Sequence, residues 1–524
     1  MNHGFPWVSV LGAIPLLGLI AVVAWPSERD EDTKRIALGA SLLTLVGSIV
    51  MAAQYSTTGK RFQFTQDYDW IRAFGAHYAV GVDGIALVLI LMTTVLTPVI
   101  VLASWHEAHP VIGGVGGSPN QPKHGVKTFF ALLLATETIV IGVFGSLDVF
   151  LFYVLFEAML IPIYFLIGSY GGPRRSYAAV KFLLYSLAGG LLMLVAVIAL
   201  FFAGRHTFDY RALVAGNLDL SHGEQIALFL GFFIAFAIKA PLWPFHTWLP
   251  DAAAEAPTGV AVMLVGVLDK VGTFGFLRFC LPLFPYAART LAPYILGLCV
   301  AGILYGALLA IGQRDMKRLV AYSSVSHFGF IALGVFAFTS QGGSGATLYM
   351  VNHAFSTGAL FLVVGFLATR RGSRIIDDFG GAAKVAPWLG AMALLAGLSA
   401  LALPGLSTFV SEFLVLVGTF TTHRWFAVVA TFGIVLAAVY SLWWVQRTIH
   451  GPVREGVENF RDLGAREAWV IAPVMAVIVV LGVYPQPILN IINPAVKTTI
   501  APVRAHDPAP TVSTDAPLLI ARTK

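Results

Sequence analysis

Charge is what this sequence lacks most. Lysine, arginine, aspartate and glutamate together make up 11% of its 524 residues, less than half the share usual in soluble domains. Hydrophobic residues reach 57% and mean hydropathy is +0.80, so there is too little polar surface to coat a globule of 56.2 kDa. A soluble enzyme and a disordered chain are excluded. Cysteine is nearly absent. Cys280 and Cys299 both lie in or beside apolar segments, which rules out a disulfide framework and a cysteine metal set. Haem-attachment and dinucleotide motifs are missing. The glycines of 113–117 lack the strand, helix start and Lys-Ser/Thr pair of a phosphate cradle. No redox cofactor and no metal are expected in this chain. The formal charge of +6 comes from basic residues scattered over short loops, the pattern of a positive-inside bias rather than of a nucleic-acid surface.

What is present is a series of long apolar runs. They are too long for alternating barrel strands, and only helices or closed barrels satisfy their backbone within lipid. The chain reads as an all-α polytopic membrane protein. At about 20 residues per crossing, spans fall near 8–25, 36–53, 84–105, 128–146, 149–168, 177–203, 225–249, 258–279, 291–312, 318–338, 346–368, 386–420, 425–446 and 468–490, fourteen in all. The first, with no basic stretch ahead of it, reads as an uncleaved helix. Two are interrupted by proline: the seventh at Lys239-Ala240-Pro241 with Pro244, and the twelfth at Leu403-Pro404-Gly405. Proline removes a backbone donor and clashes with the preceding turn, so both are expected to be broken helices. Their separation by five spans, an odd number, predicts inverted repeats over spans 4–8 and 9–13. The chain divides accordingly into 1–127, three N-terminal spans; 128–279 and 280–449, the two five-helix repeats; and 450–524, a last span with a short polar tail. With both termini on one side, eighteen lysines and arginines fall in loops opposite the termini and eight in loops on their own side. That places the termini outside.

Ionisable groups at membrane depth cost at least a few kcal/mol each and are functional candidates by default. Glu137, Glu157, Lys239, Asp269, Lys270 and Glu412 lie deep or beside a break, with His327 and His353 alongside them. Eight groups of both signs in seven spans exceed what packing requires. Glu157, midway along the fifth span, reads as a proton acceptor with Lys239 as its partner. Lys239 closes the first leg of a broken helix, where free carbonyls favour a cation. Pro241 is expected to leave the Ala237 carbonyl without its helical donor, a gap that water fills. Glu412 lies early in the second leg of the other broken helix, where the dipole favours a carboxylate. Asp269 and Lys270 are adjacent and should serve different neighbours. His327 and His353 read as a relay between Lys270 and Glu412, and His246 is a further candidate beside the first break. Lys181 reads as a snorkelling residue able to tune Glu157.

Three stretches carry a resemblance: Phe156-Glu157-Ala158-Met159-Leu160-Ile161-Pro162; Lys239 to Asp251 with its Lys-Ala-Pro-Leu-Trp-Pro-Phe-His core; and Arg314 to His327, with Asp315-Met316-Lys317-Arg318 and Ser323-Ser324-Val325-Ser326-His327. Together they resemble the antiporter-like subunits of respiratory complex I, over almost the whole chain. Within that family the chain is most similar to the M type, because Glu412 stands where the L and N types are expected to carry lysine and no long lateral helix follows the last span. The resemblance implies a proton-translocating subunit of a bacterial NADH:quinone oxidoreductase, embedded in the plasma membrane. It implies L- and N-type and small membrane subunits as partners, and NADH, FMN, iron–sulfur clusters and quinone held in other subunits. The implied proton path runs through Glu157, Lys239, Lys270, His327, His353 and Glu412, with Glu137 and His246 secondary. Asp269 departs from the family pattern. The D-type subunit of multisubunit Na⁺/H⁺ antiporters is the alternative, since it shares the lysines and the glutamate of the twelfth span.

Overall fold

The computed structural model describes residues 5–107, 125–216 and 218–504. The 113–117 loop and the last twenty residues lie outside them. Among the described residues thirteen helices are long and apolar enough to cross a membrane. A fourteenth crossing is made by two shorter helices, α14 (Pro387–Ala400) and α15 (Ser407–Thr422). The others used below are α1 (Trp7–Ala24), α2 (Asp30–Gln54), α3 (Gly84–Ala103), α4 (Val126–Gly145), α5 (Val149–Ala158) with α6 (Leu160–Tyr170), α7 (Arg175–Ala203), α8 (His222–Lys239), α9 (Trp248–Glu255), α10 (Thr258–Leu283), α11 (Pro285–Ile311), α12 (Met316–Phe336), α13 (Ser340–Arg371), α16 (Arg424–Thr448) and α17 (Ala465–Val483).

These helices are not equal. The most apolar stretches of α1 and α2 are only 28% buried, whereas those of α10 and α13 are 100% buried and that of α12 94%. A membrane helix that meets lipid needs no polar partner, while one carrying ions must be wrapped by its neighbours. The sequence follows this division. Exposed leucines and valines cover α1, α2, α7 and α16. Lys270, His327 and His353 ride on the enclosed trio. Small and hydroxylated residues hold the outer helices to the core: Ser48 of α2 and Thr94 of α3 share a buried hydrogen bond of 2.7 Å, a common form of glue between helices in lipid.

Both proline interruptions break their helices, though not at matching depths. The first leg of the seventh span, α8, runs eighteen residues, about 27 Å, and α9 adds only eight. The chain between them, 240–247, turns without regular helix. The expected water-filled gap at Ala237 is not needed. The Leu242 amide donates to the Ala237 carbonyl at 2.9 Å, and the Trp248 indole donates to the next carbonyl, Ile238, at 2.9 Å. Proline displaced the donor by one residue, and a side chain supplied the second. The fifth span is also interrupted, at Met159 between α5 and α6, two residues after Glu157. In α10, wider π turns at Met263–Leu268 and Phe276–Cys280 flank Lys270.

Two elements lie outside the all-helical expectation. An antiparallel hairpin, β1 (Gln63–Ile71) with β2 (Ala76–Val82), follows α2 within the stretch read as three spans. Alternating Asp67-Tyr68-Asp69-Trp70 and the left-handed Gly75 (φ 61°) suit a hairpin, but nine residues fall below the length of a crossing. The polar tail begins instead with an amphipathic helix, α18 (Gln486–Ile500), whose buried residues include Ile492, Val496 and Ile500. The last span correspondingly ends at Val483 rather than near 490.

The first leg of the broken α14–α15 pair is anchored from a distance. Asp462 accepts the amides of Trp388 at 3.0 Å and Leu389 at 2.9 Å, donors that the first turn of α14 cannot satisfy internally. Partial burial pushes the Asp462 carboxyl up, but those amides, that of Leu463 and the nearby Arg370 outweigh it and hold it below the usual aspartate range. A carboxyl depressed on folding stabilises above its unfolded pKa and loses that contribution as pH falls through the folded one. Asp462→Ala is expected to cost about 1 kcal/mol, read as a lower thermal inactivation midpoint at neutral pH. The variant and the parent should converge once the pH falls below the aspartate range.

Candidate functional site

The titratable residues form two clusters joined at α10. In the first, Glu157 ends α5 with its side chain turned against α7. A Cβ added to Gly190 would fall 1.7 Å from Glu157 Oε1, and one added to Gly189 would meet the Ala235 Cα of α8 at 3.1 Å. The Gly189-Gly190 pair thus thins α7 on two sides. One side seats the carboxylate and the other lets α8 approach. Lys239, at the end of α8, is buried with its ammonium 5.6 Å from the Phe156 ring centre and 5.1 Å from that of Phe182. These are cation–π distances. Glu157 and Lys239 interact electrostatically, but among the described residues neither Lys239 Nζ nor Glu157 Oε1 has a hydrogen-bond partner. The expected partnership is therefore an interaction across a gap, not a closed ion pair.

Close packing brings α10 onto the break. A Cβ at Gly272 would lie 2.5 Å from the Phe236 carbonyl and 2.6 Å from the Ala240 amide. Asp269, fully buried and without a hydrogen-bond partner among the described residues, lies within electrostatic reach of both Lys239 and Lys270. Its charge is felt by both lysines. Lys270 faces the other way, donating to the Val265 carbonyl at 2.7 Å and sitting 2.6 Å from His353 Nδ1. Lys270 thus bonds His353 and a backbone carbonyl, while Asp269 shares its field between Lys270 and Lys239.

The second cluster is hydrogen-bonded nearly throughout. His353 and His327 have ring centres 5.4 Å apart. His327 Nδ1 lies 2.7 Å from the Tyr349 hydroxyl, which donates to Glu412 Oε2 at 2.7 Å. Tyr440 of α16 approaches His327 Nε2 at 3.3 Å. Neither tyrosine is among the residues singled out from sequence. An uncharged phenol in an apolar run carries no cost signal, although Tyr349 precedes His353 by four residues and so shares its helix face. The break at 401–406 is laced shut around Glu412: Thr408 donates its hydroxyl to the Ser399 carbonyl, and Asn352 donates to the Ser407 carbonyl and to Ser411 Oγ. At Ala402 (φ 59°) and Gly405 (φ 92°) the backbone is left-handed.

The remaining candidates lie apart from the line. Glu137 is fully buried on α4 with no hydrogen bond to either oxygen among the described residues; the hydroxyl of Thr97 bonds the Thr93 carbonyl instead. His246 lies buried against the rings of Tyr305 and Tyr322 at 5.2 and 6.5 Å. Lys181 is bound to Asp251 at 2.8 Å rather than to Glu157. Asp251 also holds Arg318 at 2.7 Å and so ties α7 and α12 through α9. Asp251 closes the Lys239-to-Asp251 stretch near a span end, where a carboxylate carries no signal of this role in the sequence. Among the described residues no group of three or more His, Cys, Asp or Glu side chains could hold a metal ion.

The seat at Gly190 gives a direct test. A methyl group there must displace the Glu157 carboxylate, so Gly190→Ala is expected to lower proton transfer several-fold, to the level of Glu157→Gln, in a complex that still assembles. Unchanged transfer would mean that the carboxylate position does not matter.

The chain as a whole has counterparts among known proteins. A profile of the NADH:quinone oxidoreductase/Mrp antiporter transmembrane family matches residues 146–437. NADH-quinone oxidoreductase subunit M of Mycobacterium tuberculosis is 50% identical, covering 99% of this chain and 98% of that one. The protein of the same name from Rhodobacter capsulatus is 39% identical over 93% and 95%. A chain of respiratory complex I from Thermus thermophilus with bound NADH superposes with a TM-score of 0.85 at 30% identity, over 95% of this chain and 100% of that one. A chain of the Mrp complex from Dietzia sp. DQ12-45-1b reaches a TM-score of 0.82 at 19% identity, over 94% and 97%, a likeness of fold alone. The chain belongs to the NADH:quinone oxidoreductase/Mrp antiporter transmembrane family, in the branch of subunit M of respiratory complex I.

Proposed function

We propose that this chain is a proton-translocating membrane-arm subunit of an NADH:quinone oxidoreductase, moving protons along its buried carboxylates, lysines and histidines while redox chemistry proceeds in other subunits. The observation that carries the reading is the succession of opposite charges within membrane-spanning helices, from the half-buried Glu157 through the buried Lys239, Asp269 and Lys270 to the buried Glu412. NADH, FMN, iron–sulfur clusters and quinone belong to partner subunits in this reading. Its membrane neighbours are the L- and N-type subunits and smaller membrane subunits, and it sits in the bacterial plasma membrane with the termini on the outer side.

The mechanism is electrostatic. A charge arriving from a neighbouring subunit alters the gap between Glu157 and Lys239, and the two titrate as a coupled pair. When Lys239 yields its proton inward, Asp269 and Lys270 feel the loss, because Asp269 interacts with both lysines. Lys270 then passes a proton to His353, its 2.6 Å partner, and onward toward Glu412. Moving one charge against ~150 mV costs roughly 3.5 kcal/mol. A change of about 2.5 in a carrier's pKa between two charge arrangements supplies a similar amount, so one lysine–carboxylate rearrangement suffices for one proton.

The antiporter reading is disfavoured by the 50% identity to a subunit M across the whole chain. It predicts sodium-dependent exchange, which the present reading does not. Glu157→Gln in the assembled complex, reconstituted in vesicles, is expected to lower the number of protons moved per NADH oxidised while leaving the ratio independent of sodium. An unchanged ratio would remove Glu157 from the path, and a sodium-dependent one would favour the antiporter.

A further inference from the structure

The hydrogen bonds of the second cluster specify where its hydrogens are, and that points to two further functional residues. A tyrosine hydroxyl has one hydrogen. With Glu412 ionised, Tyr349 gives that hydrogen to Oε2, so only oxygen lone pairs remain to face His327. His327 must then carry its own hydrogen on Nδ1, the nitrogen 2.7 Å away, and Nε2 is the bare one. Tyr440, 3.3 Å from Nε2, is in consequence its donor. The same logic applies at the other end. A charged Lys270 donates to His353 Nδ1, which puts the His353 hydrogen on Nε2. That Nε2 is buried and has no hydrogen-bond partner among the described residues. The two imidazoles thus present a donor with no acceptor and an acceptor held by one long bond.

We propose that Tyr349 is the relay that carries protons between His327 and Glu412, and that Tyr440 is the latch that keeps His327 in the tautomer able to feed it. This rests on the proton-translocating reading above and assigns its last internal step. A proton reaching His327 Nε2 displaces the Tyr440 donor and makes an imidazolium. The Nδ1–H bond then breaks as a new O–H bond forms on Tyr349. In the same movement the original Tyr349 O–H bond breaks and its hydrogen joins Glu412 Oε2. The products are a neutral His327 with hydrogen on Nε2, an intact tyrosine and a neutral Glu412 carboxyl, so no tyrosinate forms in a medium that would penalise it. Both contacts of Tyr349 are 2.7 Å, and the residue is fixed on α13 with no measurable exposure. No water is needed on this side of His327. The step that remains open is between the two histidines, which is where a gate belongs. After each transfer the hydroxyl of Tyr349 points back toward His327 and the His327 hydrogen sits on Nε2, so both the hydroxyl and the imidazole must turn, and Glu412 must release its proton, before the next proton passes.

The test uses the whole complex in vesicles. Tyr349→Phe keeps the ring and removes the hydroxyl. It is expected to lower the pumping rate roughly a hundredfold, the low end for losing a positioned proton-transfer group, and to match Glu412→Gln. Replacing Tyr349 with 3,5-difluorotyrosine, whose phenol is more acidic, keeps both hydrogen bonds. It is expected to shift the pH profile of pumping, a change that a bridge serving only to hold α13 against α15 would not produce. Tyr440→Phe should slow pumping several-fold and leave the pH profile in place. If Glu412→Gln lowers pumping but Tyr349→Phe and difluorotyrosine leave rate and profile unchanged, the relay is wrong and the proposed function stands. If Tyr440→Phe pumps like the parent, the latch is wrong. If Glu412→Gln also pumps normally, the reading on which both rest fails.

Discussion

The structure is organised around the cost of holding charge in a place without water. An isolated ion in such a medium is penalised by several kcal/mol even after relaxation, and this chain buries carboxylates, lysines and histidines together. It meets that cost in two different ways. At Lys239 the cation is faced by aromatic rings and shares the field of two carboxylates without touching either. At Lys270 and Glu412 every charged group has a direct hydrogen-bond partner. The first arrangement is loosely held and sensitive to a change of charge nearby. The second is held by direct hydrogen bonds on either side of the two histidines. The proposed function, a switch placed ahead of a wire, needs this order.

The helices are shaped to that end. Regular helices satisfy their own backbone and leave nothing for an ion, so functional backbone in a membrane has to be irregular and enclosed. Here the irregularities are found at Met159 beside Glu157, at 240–247 beside Lys239, in the π turns on either side of Lys270, and at 401–406 ahead of Glu412. The two proline breaks are compensated locally. The Trp248 indole caps Ile238, and Thr408 and Asn352 stitch the second break. Glycines at 189, 190 and 272 remove the bulk that would otherwise hold α7, α8 and α10 apart.

Much of this was legible in the sequence because the signals were costly ones. A lysine two residues before a proline, or a glutamate seven residues after Gly405, is improbable in lipid without a purpose, and both fall where a break and an ion coincide. The span count was readable for the same reason, since apolar length is a coarse signal. Cheap features were hidden. Tyr349 and Tyr440 look like ordinary membrane aromatics until their hydroxyls are placed. The hairpin at 63–82 and the amphipathic helix at 486–500 are too short or too polar to register as crossings. The Ala237 carbonyl was expected to be orphaned because proline chemistry predicts the loss of one donor but not that the next amide would take its place. Asp269 had no readable role, since only the approach of α10 to the break brings its charge within reach of both lysines.

On the proposed function the two clusters act in series, as one path. Serial elements give losses that do not add, because a blocked path cannot be blocked twice. The most direct measurement compares proton pumping by the assembled complex carrying Glu157→Gln, Glu412→Gln and both together. If the clusters act in series, the double variant pumps no worse than the poorer single one. Losses that multiply would contradict it, and would mean that the two halves of the chain carry protons independently.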